Sequence, residues 1–312
     1  MPAPYENMTA MRSMLLALER SGPDAGRLYA QEQEFNEMPE GISVIVPVHN
    51  GADEIADLFN ALHSQSLDRS QFEVIFSLNG CTDASAELVR NFRKTSDIQT
   101  VILNGRVANV ARARNRALSR ARFRYTTFVD HDDFLSHHYL EECLALADYR
   151  TVVVSNIVRV VDGNLESDYA QTVVSDGFRV ANVFGPDDIS ICYRAYTLNG
   201  IKTAPTYMAA GVSYSEALPH SEDVDYWRTL FHRFTPITLK SPTRRDLYYR
   251  KVPETSLSRG MSDFYPKAKP RFAILDKIEE DKKRFPSGSP QRKFDLQLRE
   301  LLLDTLYNLG TQ

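Results

Sequence analysis

Between residues 42 and 161 the chain alternates two apolar periods, and that alternation limits the folds open to it. "ISVIVPV" (42–48) is a β-branched run without polar alternation, the pattern of a strand buried on both faces. Ile55, Leu58, Phe59 and Leu62 then recur at i, i+3, i+4 and i+7, the helical period. "FEVIFSL" reads as strand, and Ala86, Leu88, Val89 and Phe92 as a helix face. "TVIL" (100–103), a helix over 108–121, "YTTFV", a helix over 136–147 and the single strand "TVVVSNIVRVV" complete the series. Strands alternating with helices of this length predict right-handed βαβ units. The fold class is therefore α/β, a Rossmann-like, mostly parallel sheet with helices on both faces.

Outside this stretch the rhythm changes. Met11, Met14, Leu15, Leu16 and Leu18 form an apolar cluster broken by "SGPDAG", so residues 1–40 read as an N-terminal helical extension. Asp, Gly, Asn, Ser and Pro recur through 162–206 and predict loops and short strands. A helix is expected from Ser221, followed by Pro236, Pro242 and "RRDLYYRKV". Residues 263–312 read as a C-terminal helical segment, broken at "FPSGSPQ", with Leu298, Leu302, Leu306 and Leu309 as its stripe. The central domain spans 41–262, in halves 41–150 and 151–262.

Composition excludes several function classes. A net charge of −4 offers no electrostatic case for nucleic acid. Three widely spaced cysteines, Cys81, Cys143 and Cys192, form neither a disulfide framework nor a zinc spacing. No signal sequence is visible, and no stretch nears the ~18 apolar residues that span a bilayer. A cytoplasmic location is expected, at the inner membrane face if the terminal helices dock there.

In open α/β sheets ligands bind outside the carboxyl ends of the strands. Those ends hold Pro47, His49 and Asn50, then Asn79, Gly80, Thr82 and Asp83, then Asp130, His131, Asp132 and Asp133. Turn and cap chemistry explains the first two groups by itself. Three carboxylates exceed what one cap requires, and a hard divalent cation would relieve their repulsion. On the next helix, Arg112, Arg116 and Arg120 read as a solvated stripe, while Arg114 falls among Val110, Ala111, Ala117 and Leu118. A guanidinium there needs a partner, either a structural carboxylate or a phosphate. In "HSEDVDYW", Ser221 reads as an N-cap, and Glu222, Asp223 and Asp225 either complement the helix dipole or supply a general base. His49, His131, His137 and His138 lack metal-ligand spacing, and Cys81 and Trp227 read as structural.

Taken together, "ISVIVPVHN", "SLNGCTDAS", "ARARNRAL", "FVDHDDF" and "SEDVDYW" resemble, in order and spacing, the family 2 glycosyltransferases over roughly residues 41–260. The resemblance implies a GT-A fold and inverting transfer from a nucleotide-sugar donor. It makes 41–150 the nucleotide-sugar half and 151–262 the acceptor half. It implies donor contacts from Pro47, His49, Asn50, Asn79, Asp83, Arg114, Asn115, Asp130 and His131, and from Tyr249 and Arg250 closing over the diphosphate. It implies Asp132 as ligand to Mn²⁺ or Mg²⁺, Asp223 as catalytic base and Glu222 as its neighbour. The chain departs from the family at Leu78 and Asn79, where two acidic residues are common, and lacks the glycine before the D-x-D strand.

Expected partners are a nucleotide-sugar donor, UDP-linked by this resemblance, and a glycan, polyol-phosphate or lipid-linked acceptor. Peripheral membrane contact and homo-oligomerisation through the C-terminal helices are further expectations. The alternatives are a degenerate glycan- or partner-binding relative and a GT-A nucleotidyltransferase. The latter usually opens with a Gly-rich loop and a Lys, and "VPVHNGADE" has neither.

Overall fold

The computed structural model describes residues 32–33, 35–161, 163–166, 198–234, 238–240, 247–252 and 264–310. In chain order the first elements are β1 (Ile42–Val48), α1 (Ile55–His63), β2 (Phe72–Asn79), α2 (Ser85–Thr95), β3 (Gln99–Gly105) and α3 (Val110–Leu118). Next come β4 (Tyr125–Phe128), β5 (Phe134–Leu135), α4 (Tyr139–Leu146), β6 (Thr151–Val154), β7 (Asn156–Val161) and β8 (Asn164–Glu166). The rest are β9 (Lys202–Pro205), α5 (Thr206–Ala210), α6 (Glu222–Phe234), β10 (Thr238–Lys240), β11 (Leu247–Lys251), α7 (Phe264–Asp281) and α8 (Pro290–Gly310). The apolar cluster at 11–18 lies outside the described residues.

The main sheet has the order β10-β6-β9-β4-β1-β2-β3. Every residue of β1 and β2 is buried, as their unalternating apolar runs require. β1 pairs in parallel with β2 and β4, with Ile42 level with Phe72 and Tyr125. β9 enters antiparallel between β4 and β6, so the sheet is mixed on that side. A second sheet has the order β5-β11-β7-β8.

The expected single strand over 151–161 divides at Ser155. Its N–H donates to the Ile201 carbonyl at 2.8 Å, and its Oγ meets the Cys143 sulfur at 3.3 Å. β6 stays in the main sheet while β7 crosses into the second. The helix expected over 108–121 is confined to α3, capped by Asn109, whose side chain accepts from the Arg112 N–H at 2.9 Å. Small Ala111, Ala113 and Ala117 are buried on it. Arg116 is not the solvated residue its i, i+4 spacing suggested. It reaches back to the sheet, donating to Ser77 Oγ and the Leu78 carbonyl, both at 2.8 Å.

Phe35 belongs to the core rather than to an accessory segment, with ring centroids 5.6 Å from Tyr125 and 5.3 Å from Tyr149. Ile274, Ile278, Phe294, Leu298 and Leu302 extend the same core into α7 and α8. Arg228 of α6 ties these helices down, donating to Asp295 at 2.8 and 2.9 Å and to Asp281 at 2.7 Å. Among the described residues no helix is long and apolar enough to cross a membrane.

Candidate active site

The chain runs from β1 to β2 and β3 on one side, then returns to β4 on the other side of β1. This reversal leaves a crevice at the carboxyl ends of β1 and β4. A cavity of about 730 Å³ opens there, lined by Pro47, His49, Asn79, Arg114, Asp130, His131, Asp132 and Glu222. Eight of the candidate residues thus share one space. A neighbouring cavity of about 910 Å³ shares His131 and Asp132 and adds Asn50, Phe134 and Lys251.

Three carboxylates after β4 are tolerated because each faces a different environment. Asp130 Oδ1 accepts from Arg114 Nη2 at 3.0 Å. Asp133 turns into the core, accepting from Tyr248 Oη at 2.7 Å and from the Lys251 N–H at 2.9 Å. Burial, then Asp132 and Asp130, push Asp133 well above the usual carboxylate range. Asp132 faces both cavities, and burial followed by Asp130 raises its pKa. A cation beside Asp132 would relieve that cost, and an all-oxygen set from Asp132 and Asp130 suits Mg²⁺ or Mn²⁺.

Arg114 resolves in favour of carboxylates. Its Nη1 lies 2.6 Å from Glu222 Oε1, its Nη2 takes Asp130, and its guanidinium carbon sits 5.3 Å from the Tyr214 ring centroid. Both Nη groups thus join the two acidic turns, while Arg114 still lines the cavity and its buried Nε has no partner among the described residues. Asn115 lines neither cavity. Its amide pairs with the Tyr214 backbone, accepting from N–H at 2.8 Å and donating to C=O at 2.9 Å, and so holds the loop before α6.

The first two turns are stapled together rather than both aimed at the cavity. Asn50, at a left-handed φ of 48°, accepts from the Thr82 N–H at 2.8 Å. Asp83 accepts from Ala52 and Ser85 N–H groups at 3.0 Å each, and it does not line the 730 Å³ cavity. Asn79 accepts from the Asn109 N–H through Oδ1 at 2.7 Å, so its amide NH₂ is the group it can offer a ligand. His49 Nδ1 lies 2.7 Å from the Asn79 carbonyl. A carbonyl only accepts, so Nδ1 carries a proton, and in the neutral tautomer this fixes, Nε2 is the acceptor.

Across the cavity, α6 begins with Glu222, Asp223 and Asp225. Ser221 sits at φ 61° and passes its carbonyl to the Asp225 N–H at 3.2 Å. Asp225 is bound by Lys277 of α7, both oxygens at 2.7 Å. Asp223 is pushed up to about 6, chiefly by burial and then by Glu222. It stands beside Glu222 but is not part of the cavity wall.

On β11, Tyr248 is buried between half-buried Leu247 and Tyr249. Tyr249 stacks on Phe134 at 4.7 Å and Arg250 is exposed, and neither lines either cavity. Tyr248 instead approaches the acidic turn, accepting from the Asp130 N–H at 3.2 Å while donating to Asp133. Sequence reasoning missed Tyr248, Asn109, Lys202 and the wall segment Glu216 to Pro219. Asn109 carried a readable signal, a cap residue before an alanine-rich helix. Among the described residues His232, Asp281 and Asp295 also cluster, but Arg228 already bonds both aspartates, so the group is an ion-pair network.

The sequence model of glycosyl transferase family 2 matches residues 43–200, half of the chain. The chain belongs to glycosyltransferase family 2. Two curated relatives show how far the likeness extends. The poly(ribitol-phosphate) β-N-acetylglucosaminyltransferase TarS of Staphylococcus aureus is 30% identical over 106 residues, 34% of this chain and 18% of that protein. Glycosyltransferase GlyA of Streptococcus pneumoniae is 31% identical over 184 residues, 57% of this chain and 25% of that protein. The matched region thus spans about a quarter or less of these relatives' length. Among solved structures, S. aureus TarS 1–349 with UDP-GlcNAc aligns at a TM-score of 0.60 and 18% identity, covering 86% of this chain and 73% of that one. The mannosyltransferase PcManGT of Pyrobaculum calidifontis, with GDP-Man and Mn²⁺, aligns at 0.59 and 16%, covering 95% and 85%. These two share the GT-A fold with this family 2 chain.

Proposed function

We propose that the chain transfers a glycosyl group, with inversion, from a nucleoside-diphosphate sugar to a hydroxyl of a glycan or polyol-phosphate acceptor. One observation carries the reading: the 730 Å³ cavity is walled by Asp130 and Asp132 on one side and Glu222, next to Asp223, on the other. A departing nucleotide gathers negative charge at the first wall, and an incoming hydroxyl loses its proton near the second.

Asp132, with Asp130, would hold Mg²⁺ or Mn²⁺, which when bound neutralises the departing diphosphate. Arg114 fixes Asp130 and Glu222 relative to each other, so both walls keep their spacing. Asp223 takes the acceptor proton; a carboxylate raised to about 6 is a stronger base than an ordinary one yet ionised at neutral pH. The base of the nucleotide meets the Asn79 amide N–H and His49 Nε2, a donor and an acceptor side by side. Uridine donors are the first to test, since a TarS complex contains UDP-GlcNAc.

The test is turnover of a nucleotide-sugar panel with Mn²⁺ or Mg²⁺ and again with chelator. Release of nucleotide that depends on the metal supports the reading. Donor binding without turnover, with every donor and with glycan and polyol-phosphate acceptors present, would leave a binding module instead.

A further inference from the structure

β9 places a lysine where a core residue belongs. Lys202 is fully buried, between Ile201 and Thr203, which are also buried. Its backbone carbonyl accepts from Thr127 Oγ1 at 3.1 Å, which seats the strand. Its Nζ donates to the Leu198 carbonyl and stands 4.7 Å from the centroid of Trp227, itself fully buried. A buried ammonium costs several kcal/mol unless something compensates it, and an apolar residue of equal length would fill the space at no such cost. Trp227 lies four residues after Asp223, so the two share a face of α6 one turn apart. The ammonium packed on Trp227 and the Asp223 carboxylate thus belong to the same face of α6, one turn apart.

We infer that Lys202 is a positioning residue for Asp223, supplying from the core a cation that holds the carboxylate ionised and in place. The inference rests on the reading of Asp223 as base. The other groups facing Asp223 are Glu222 on α6, Arg114 on α3, Tyr214 before α6 and Arg271 on α7. Arg114 and Arg271 keep their charge across the working pH range, and Glu222 is ion-paired with Arg114. Among these described cations only Lys202 changes charge near neutrality: burial pulls it down to about 7, against the pull of Asp223. The coupling is reciprocal, so each charge raises the ionised fraction of the other.

Trp227 is the only tryptophan of the chain, so its emission reports the ammonium against it. In the wild-type protein the emission should titrate with a midpoint near 7, and Lys202→Met and Lys202→Gln should both abolish that titration. Asp223→Asn should move the midpoint to lower pH by about one pH unit. In transfer assays Lys202→Met should lower kcat, leave the donor KM unchanged, and move the acid limb of the profile upward by about one pH unit. Melting temperatures identify any variant that fails to fold, and two substitutions of different polarity guard against one mispacking. No emission titration in the wild type, or the same midpoint in Asp223→Asn, overturns the coupling. An Asp223→Asn enzyme transferring at the wild-type rate overturns the base assignment instead, whatever the emission shows.

Discussion

The turn after β4 and the start of α6 carry the same chemistry in different settings. Each places three carboxylates within four residues, and in each they divide three ways. Asp130 and Glu222 share Arg114, one from each side. Asp133 and Asp225 are spent on structure, the first on Tyr248 and the Lys251 N–H, the second on Lys277. The remaining pair, Asp132 and Asp223, differ in outlook. Both are half-buried, but Asp132 opens onto two cavities, whereas Asp223 lies off both cavity walls, near the charges of Glu222, Arg114 and Lys202. An acid facing open space suits a cation with water in its shell. Burial raises the pKa of both, so what suits Asp223 to a proton is its place beside Glu222, outside the two cavity walls. The environment assigns the role, since residue type does not differ.

The largest test of that contrast is Asp223→Asn. The amide keeps the shape and cannot take a proton, so transfer should fall by roughly 10²- to 10⁴-fold. Donor binding, measured calorimetrically with metal present, should persist. Transfer within a few-fold of the parent sends the search for a base elsewhere.

Arg114→Met breaks the link between the two turns. Glu222 is then left nearly buried without its cation, which costs about 3–5 kcal/mol. Chemical denaturation should show that loss, and both donor binding and transfer should fall. A stable variant that loses only donor affinity would favour a phosphate partner for Arg114 after all.

Asp132→Asn should behave in the opposite sense. Burial and Asp130 already disfavour its charge, so neutralising it should leave melting unchanged or raised. Metal affinity should drop by more than the roughly 10- to 100-fold lost with a metal's supporting groups, because Asp132 would be a ligand itself. Equal Mn²⁺ affinity in variant and parent would move the cation away from this turn.

The pH profile sharpens the comparison further. Asp223 must be ionised to accept a proton, so transfer should rise through about pH 6 and level off above it. Its stability contribution runs the other way. A folded pKa above the ordinary 3.8 means the folded state binds the proton more tightly. That contribution is complete below about 4 and is lost as pH climbs through about 6. A profile flat between pH 5 and 7 would argue against a carboxylate base of this kind.

How much of this was legible in the sequence depends on how locally each feature is encoded. β1, β2 and α1 follow from their own period, since burial on both faces or on one stripe is written in the residues themselves. The strand ends, and so Pro47, Asn79 and Asp130 to Asp132, follow from where those periods stop. The division at Ser155 does not, because the Ile201 N-terminal to β9 that holds it is 46 residues away in an element with no periodic signal. Tyr248 is not marked either, because its partners Asp130 and Asp133 lie 118 and 115 residues away and only the alternation of strand side chains turns it inward. Lys202 and Lys277 answer carboxylates on α6 from distant elements, and nothing near them in sequence marks them. Arg114 was legible as a guanidinium needing a partner, but not as a bridge between two turns, since its two partners lie 16 and 108 residues away.

The smallest expected effect belongs to Lys277. Its side chain is 45% exposed, so water screens much of its attraction for Asp225. The buried end of the pair is better protected, but Asp225 also lies in the first turn of α6, where the helix dipole favours a negative charge. Lys277→Met keeps the aliphatic stem that packs α7 on α6 and removes only the charge. Stability should therefore fall by roughly 1 kcal/mol, and less in high salt. Transfer should remain within a few-fold of the parent, because Asp225 is bonded to α7 while Glu222 lines the cavity with Asp223 next to it. If Lys277→Met instead removed transfer at unchanged stability, Asp225 would belong to the reacting set, and the three-way division of the α6 turn would be wrong.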